Sequence, residues 1–407
     1  MKCRFCGKDL KRLIVSLGSS PLSNSYLSSE QLKEKEPVYP LDLYTCDSCF
    51  LMQLGVSESP EKIFNDYAYF SSYSDTWLEH VKTYVEKMMG NFNINHDSFV
   101  AEIASNDGCL LQFFKERHVS VLGIEPAKNV AQVALNKGLP TEVAFFGTKT
   151  AIRLSARGKL PDLILGNNVL AHVPDLNDFV KGLKILLKPE GMITMEFPHL
   201  VKLIEDTLFD TIYHEHLFYF SFLTVERIFS FHGLDIFDVE KLPTHGGSLR
   251  IYAKHREDAS KQISLEVFKL RVEEKSRGYD TLIPYMNFSM KVAEKRKEIL
   301  DFLIEAKRAK RKVVGYGAPA KGNTLLNYCG IKSDLIPYTV DRSPHKQGKY
   351  LPGSRIPIEK PEKIVETKPD FVFILPWNLK DEIMEQMSCI RKWGGKFIIP
   401  IPKLEVI

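Results

Sequence analysis

A chain of 407 residues with 55 Lys and Arg against 51 Asp and Glu has a formal net charge of +4. That balance gives no electrostatic reason to expect a nucleic acid or an anionic membrane as partner, and the length predicts two or three domains. No run approaches the roughly 18 consecutive apolar residues of a membrane span, and Met1-Lys2-Cys3 opens no apolar signal segment, so a cytoplasmic, reducing setting is expected for the seven cysteines.

The first expected unit covers residues 1–70. Cys3-x-x-Cys6 and Cys46-x-x-Cys49 are separated by 39 residues. Two thiolates on one tight knuckle chelate one ion, and two knuckles complete a tetrahedral sulfur set that favours zinc. Lys2 and Arg4 are expected to help keep the thiolates ionised. Four sulfurs leave no open position, so the predicted zinc is structural and folds a region too small to bury enough surface alone.

Residues 71–257 alternate short apolar runs with helical spacing. Runs at 99–104, 119–124, 162–165 and 192–197 predict buried strands, and 175–187 predicts a crossover helix, a pattern of parallel strands in an α/β layer. Residues 258–311 are charged and rich in helix formers. Gly278 and Pro284 are expected to split them into two helices of a connector. From residue 312 to 407 the alternation restarts, with strands expected at 312–315, 336–340 and 371–375 and a helix at 381–392. The two α/β units share no motif.

The first of these strands ends at Glu102 and turns through Ser105, Asn106 and Gly108 into a helix. Nucleotide-type cofactors bind at such turns, where backbone N–H groups face the ligand. The dinucleotide pattern G-x-G-x-x-G is missing. The next strand ends in Glu125, a carboxylate placed to grip a ribose diol, and a third strand ends in Asn167 and Asn168, followed by His172-Val-Pro-Asp. With the turn Leu186-Leu-Lys-Pro-Glu-Gly191 this is the pattern of an S-adenosylmethionine site. The class I S-adenosylmethionine methyltransferase domain is therefore the expected fold of the central unit.

Several phrases then converge. They are E-I-A-S-N-D-G at 102–108, G-I-E-P at 123–126, residues 168–174, E-F-P-H at 196–199, I-Y-H-E-H at 212–216, G-G-S-L-R at 246–250, G-Y-G-A-P-A-K-G at 315–322 and the stretch 341–357. Together with the paired cysteines they resemble the sugar C-methyltransferase family over nearly the whole chain. The resemblance implies a zinc-binding module, a central S-adenosylmethionine domain and a second Rossmann-like domain that binds a nucleotide sugar. It implies methylation at C3 of a nucleotide-linked 4-keto-6-deoxy sugar; the expected carrier is dTDP or GDP, and the expected state is a monomer or weak dimer. Ala104 departs from the family pattern, where many methyltransferase loops carry glycine.

Carbon is a poor nucleophile unless a neighbouring carbonyl acidifies its C–H, so such an enzyme needs a base and a group to stabilise the enolate oxygen. Tyr213-His214-Glu215-His216 is the densest cluster of proton-transfer groups. The resemblance puts the base at His216, with support from Tyr213 and Glu215; a carboxylate such as Glu215 can orient an imidazole, and a phenol such as Tyr213 can donate to an enolate oxygen. Tyr69 and Tyr73 belong to an aromatic, hydroxyl-rich stretch expected to act as a lid, Tyr73 toward the cofactor and Tyr69 toward the sugar. His245, Gly247, Ser248 and Arg250 form a turn entering a strand and are expected at the sugar or its phosphate. Lys321 and Asn323, in a phosphate-type loop, and Asp341, at the next strand end, are expected at the nucleotide. Three rivals fit parts of the sequence: an O- or N-methyltransferase of a small metabolite, a non-catalytic zinc-ribbon binding protein, and a nucleotide-sugar oxidoreductase using residues 315–322.

Overall fold

A computed structural model describes residues 1–55, 71–73 and 75–407, the side chains at 73 and 75 aside. Tyr69 lies outside the described residues, as does the side chain of Tyr73. Among the described residues three sheets form.

The first sheet takes β1 (Arg12–Ser20), β2 (Tyr39–Thr45) and β3 (Met52–Leu54) from the N-terminal unit. Its fourth strand comes from far along the chain. β9 (Phe218–Tyr219) pairs antiparallel with β3, Met52 opposite Tyr219 and Gln53 opposite Phe218. The cysteine module is thus completed by the two residues that follow the Tyr-His-Glu-His cluster at a distance of one residue.

The second sheet contains β4 (Phe99–Ile103), β5 (Ser120–Ile124), β6 (Thr141–Glu142), β7 (Leu163–Asn167), β8 (Met192–Pro198), β10 (Leu234–Leu242) and β11 (Ser248–His255). Its order is β10-β11-β8-β7-β4-β5-β6, parallel from β8 to β6, with β11 reversed between β8 and β10. The strand order switches direction at β4 and β7, so the loops after those strands open a crevice at their carboxyl ends. Strands with apolar residues on both faces form here because helices cover both sides. The helix Leu176–Leu186 is one of them; Asp175 caps it by accepting the amide of Asp178 at 2.9 Å.

The third sheet orders β14 (Ile358–Glu359), β13 (Thr339–Val340), β12 (Val313–Tyr316), β15 (Phe371–Ile374), β16 (Lys396–Ile399) and β17 (Glu405–Val406). It is parallel except for β17 and has its own switch point between β12 and β15. The strand expected at 336–340 is only Thr339–Val340, since Pro337 has no N–H to donate to a ladder. The helix expected at 381–392 divides into Lys380–Gln386 and a 3₁₀ stretch Ser388–Trp393.

The connector holds helices Leu265–Ser276 and Phe288–Arg308 with a short helical turn Ile283–Met286 between them; Gly278 ends the first in a left-handed conformation (φ 79°) and Pro284 opens the short turn. Glu274 of the connector is buried, and its carboxylate accepts the amides of Phe222 and Leu223 and bonds His199 at 2.7 Å. One continuous apolar core runs through the cysteine module, the central sheet, the connector and the third sheet. The sequence units are therefore not independent bodies.

Candidate active site

The four cysteine sulfurs lie within 4.8 Å of one another, with Cys3–Cys49 at 3.6 Å and Cys6–Cys46 at 3.5 Å. A tetrahedral zinc with bonds of about 2.3 Å sets sulfur–sulfur edges of about 3.8 Å, so the set fits the ion with little movement. The knuckles match: Gly7 donates to the Cys3 carbonyl and Phe50 to that of Cys46, and both residues adopt left-handed φ (69° and 60°). Lys2 is turned to Asp9, and Arg4 donates to the Leu54 carbonyl at 2.6 Å. The side-chain donor that faces a sulfur is Gln53, whose Nε2 lies 3.2 Å from Cys3; the backbone amides of Phe5 and Cys6 also bond that sulfur, and Arg4 interacts with it through charge. Gln53 sits on β3 opposite Phe218, so the metal shell connects directly to β9.

At the crevice of the central sheet, Glu102 and Glu125 end adjacent strands. Glu125 accepts the amide of Asn106 through Oε2 and that of Ala127 through Oε1, both at 2.9 Å, and so pins the turn after β4. Ala104 and Asn106 in that turn are left-handed, with φ of 57° and 51°. The glycine common in related loops has its reason here, since an L-residue is strained in that region. Gly108 is left-handed as well (φ 75°), and a Cβ there would come within 2.3 Å of Leu139. Ser71 donates its amide to Asn106 Oδ1 at 3.0 Å, and Ser72 donates to Asp107 Oδ2, so the backbone at 71–72 lies over the turn as a covering segment would.

Glu102 is held well above the usual carboxylate range, by burial first and then by the charges of Asp107 and Glu125. Its Oε2 and the Ser105 hydroxyl are buried with no hydrogen-bond partner among the described residues. A cationic ligand relieves such a cluster. The sulfonium and ammonium of S-adenosylmethionine carry that charge, and the free lone pairs of Glu125 suit a ribose diol. Asn168, just past β7, is left-handed (φ 56°) and donates from Nδ2 to His245 Nε2 at 3.0 Å. Asn167 ends β7 opposite Glu196 on β8.

The cluster at 213–216 lies beyond this crevice. Tyr213 Oη is 2.7 Å from His216 Nε2, and His216 Nδ1 is 2.9 Å from the Thr211 carbonyl. A carbonyl only accepts, so Nδ1 carries the hydrogen and Nε2 accepts from the phenol. Burial first, and the neighbouring His172 ring next, push His216 well below the usual histidine range. The two rings meet edge to face at 4.8 Å, and His172 itself is lowered to about 4, by burial. The imidazole is thus neutral and oriented by a backbone carbonyl. The orienting role expected of Glu215 is filled by Thr211, while Glu215 accepts the Asn24 amide of the cysteine module at 2.6 Å. His214 points the other way, to the Tyr39 carbonyl of the module.

Of the turn at 245–250, His245 alone faces the Asn168 side. Ser248 Oγ donates to the Thr244 carbonyl, and Gly247 (φ 124°) packs on Lys202. Arg250, expected at the sugar or its phosphate, is 3% exposed and bonds Glu196 at 2.6 Å over the Tyr84 ring. Sequence reasoning gave no site role to Glu196, His80 or Trp77. Glu196 also bonds His80 at 2.9 Å and accepts from Thr244 Oγ1 at 2.8 Å, which fixes the turn carrying His245. Burial raises Glu196, but the His80 hydrogen bond and the Arg250 charge outweigh it and hold the carboxyl at about 2.

In the third sheet Asp341 ends β13 and accepts the amides of Ala318 (2.7 Å) and Ser343 (2.8 Å). This repeats what Glu125 does in the central sheet, including the bond to the residue two further on, so the two α/β units share a device that their sequences do not reveal. Asn323 is 1% exposed and donates to the Ser23 carbonyl, which joins the third sheet to the cysteine module. Lys321 donates to Asn378 at 2.8 Å and lies 4.5 Å from the Trp377 ring centroid.

Comparison with known proteins agrees with this architecture. Residues 3–64 match a zinc binding domain, 81–239 a methyltransferase domain, and 243–402 the C-methyltransferase C-terminal domain. The C-methyltransferase NovU of Streptomyces niveus is 35% identical over 406 residues, covering 100% of this chain and 96% of NovU. The chain belongs to the C-methyltransferase family. This C-methyltransferase uses S-adenosylmethionine and carries a zinc-binding module, and its central domain has the class I methyltransferase fold. Among solved structures, PH0226 protein from Pyrococcus horikoshii OT3 is similar at 16% identity and a TM-score of 0.38, over 49% of this chain and 100% of that one. Magnesium protoporphyrin IX methyltransferase from Synechocystis PCC 6803 with bound S-adenosylmethionine is similar at 14% identity and a TM-score of 0.34, over 47% of this chain and 88% of that one.

Proposed function

We propose that the enzyme methylates C3 of a nucleotide-linked 4-keto-6-deoxy sugar, carried by dTDP or GDP, through an enolate. The observation that carries this reading is the Tyr213–His216 pair, with Nε2 free of hydrogen and Nδ1 fixed on Thr211. A carbon acceptor needs a base, and this pair serves as one. The Tyr213 oxygen takes the C3 proton as its own proton passes to His216 Nε2, so the imidazole is the terminal acceptor. S-adenosylmethionine supplies the electrophilic methyl group. Glu102, Ser105, Asn106, Gly108, Glu125, Asn167 and Asn168 are the residues that would hold it, with His172 between it and the base. His245 and the third domain would hold the sugar nucleotide. We place the enzyme in the cytoplasm as a monomer or weak dimer. No described helix is long and apolar enough to cross a membrane.

The test is deuterium wash-in. Incubated in D2O with dTDP-, GDP- and CDP-linked 4-keto-6-deoxyhexoses, the protein is expected to exchange the C3 hydrogen of one of them without cofactor and to methylate the same sugar when the cofactor is added. Methylation of an oxygen or nitrogen with no C3 exchange on any of them would sink the proposal.

A further inference from the structure

Tyr213 has a single hydroxyl proton, and it lies on His216 Nε2. The phenol therefore cannot also donate to the oxygen on which an enolate's charge builds. That oxygen needs another partner, and a preorganised charge where negative charge develops is usually the largest single term in such catalysis.

The third sheet brings a cation toward the segment that precedes the cluster. Lys321 lies at the start of helix Ala320–Cys329, at the switch point between β12 and β15. Trp377, in the loop after β15, stacks on its ammonium at 4.5 Å and donates Nε1 to Asp210 Oδ2 at 2.6 Å. The same indole packs on Gly246, where a Cβ would come within 2.6 Å of the ring. Trp377 so joins the third domain to both the segment before the Tyr-His-Glu-His cluster and the turn that carries His245. Lys321 has three ammonium hydrogens and Asn378 takes one. Its charge reaches both His216 and His245, where it adds to burial in keeping the rings neutral. His172 and His245, the other two groups whose charge would bear on His216, are lowered to about 4, both by burial first. Burial lowers Lys321 as well, but the charge of Asp210 opposes this and favours the ammonium form.

We propose that Lys321 holds the C4 oxygen of the sugar as the proton leaves C3, and so is a catalytic residue of the reacting end of the substrate rather than an anchor for its diphosphate. This rests on the 4-keto sugar reading above. As the C3 proton moves to the Tyr213–His216 pair, the C–H electrons become the C3–C4 double bond and the carbonyl pair moves onto O4 beside the ammonium. When C3 bonds the methyl carbon, the methyl–sulfur pair stays on sulfur and the C4 carbonyl re-forms.

The experiment compares wild type, Lys321→Met and Lys321→Arg for C3 wash-in without cofactor, across the same three nucleotide sugars. S-adenosylhomocysteine calorimetry serves as the check on folding. The Met protein should lose about 100-fold in the maximal exchange rate while its KM moves less than about threefold, and Arg should restore about tenfold. A Met protein that exchanges at nearly the wild-type maximal rate but with KM raised more than about tenfold would make Lys321 a diphosphate contact and overturn the proposal. A wild type that exchanges none of the three sugars overturns the sugar reading, and this assignment with it.

Discussion

Ala104 and Glu196 show how single residues set the site. Ala104 occupies a left-handed position (φ 57°) while donating its amide to the Ile124 carbonyl at 2.8 Å. Ala104→Gly removes the steric cost of Cβ at the expense of unfolded-state entropy, and should stabilise the protein by about 0.5–1 kcal/mol in urea unfolding. Glu196 is fully buried and its carboxyl is held at about 2 against an ordinary value of 4.5. A depressed carboxyl contributes stability above its unfolded pKa and loses it as pH falls through the folded one. Wild type should thus shed roughly 2–3 kcal/mol from this group between about pH 5 and about pH 2. Glu196→Gln should show a correspondingly shallower acid loss in the same unfolding series; parallel curves would mean that the Glu196–Arg250–His80 network is not what holds the carboxyl down.

At the scale of elements, the cysteine module and the strand that follows the Tyr-His-Glu-His cluster share one sheet. β3 pairs with β9, and Gln53 reaches from that pair to the Cys3 sulfur. Zinc is therefore expected to order more than its own knuckles. Cys46→Ala, or removal of the metal by a chelator, should cost several kcal/mol of stability. It should also raise hydrogen exchange at Phe218 and Tyr219 before it does so in β4 and β7. Retention of ordered β9 without metal would limit the zinc to the knuckles.

At the scale of the whole molecule, the loop after β15 packs on two segments of the chain outside the third sheet, at Asp210 and at Gly246. The central unit holds the turn after β4 and, beyond its crevice, the Tyr213–His216 pair, while the switch point of the third sheet holds Lys321 and the loop after β15 holds Trp377. Trp377 is 4% exposed and spans the junction. Trp377→Phe keeps most of the packing but leaves Asp210 without its indole donor, so about 1–3 kcal/mol of stability should be lost. Binding of S-adenosylhomocysteine, expected to use the central domain, should change less than about threefold, while turnover falls at least about tenfold. A loss of cofactor affinity as large as the loss of turnover would show that the junction supports the central sheet generally and does not position Lys321.

Some of this was legible in the residues alone. Two C-x-x-C pairs specify a sulfur cage because ligand chemistry is local to each knuckle. The acidic strand ends and the small-residue turn announce a cofactor crevice because strand, turn and helix are consecutive in the chain. Tyr213 and His216 could be picked out because they stand three residues apart. What the tertiary structure decided are the contacts between distant segments: β9 closing the module sheet, Thr211 taking the orienting role expected of Glu215, and Arg250 spent on Glu196. The same holds for Lys321, which meets the Trp377 ring whose indole bonds Asp210. Asp341 repeating the job of Glu125 belongs here as well, since that likeness lies in which amides a carboxylate meets and leaves no mark in residue order. Spacing reveals chemistry only where neighbours in sequence are neighbours in space, and the second half of this site comes from a different sheet.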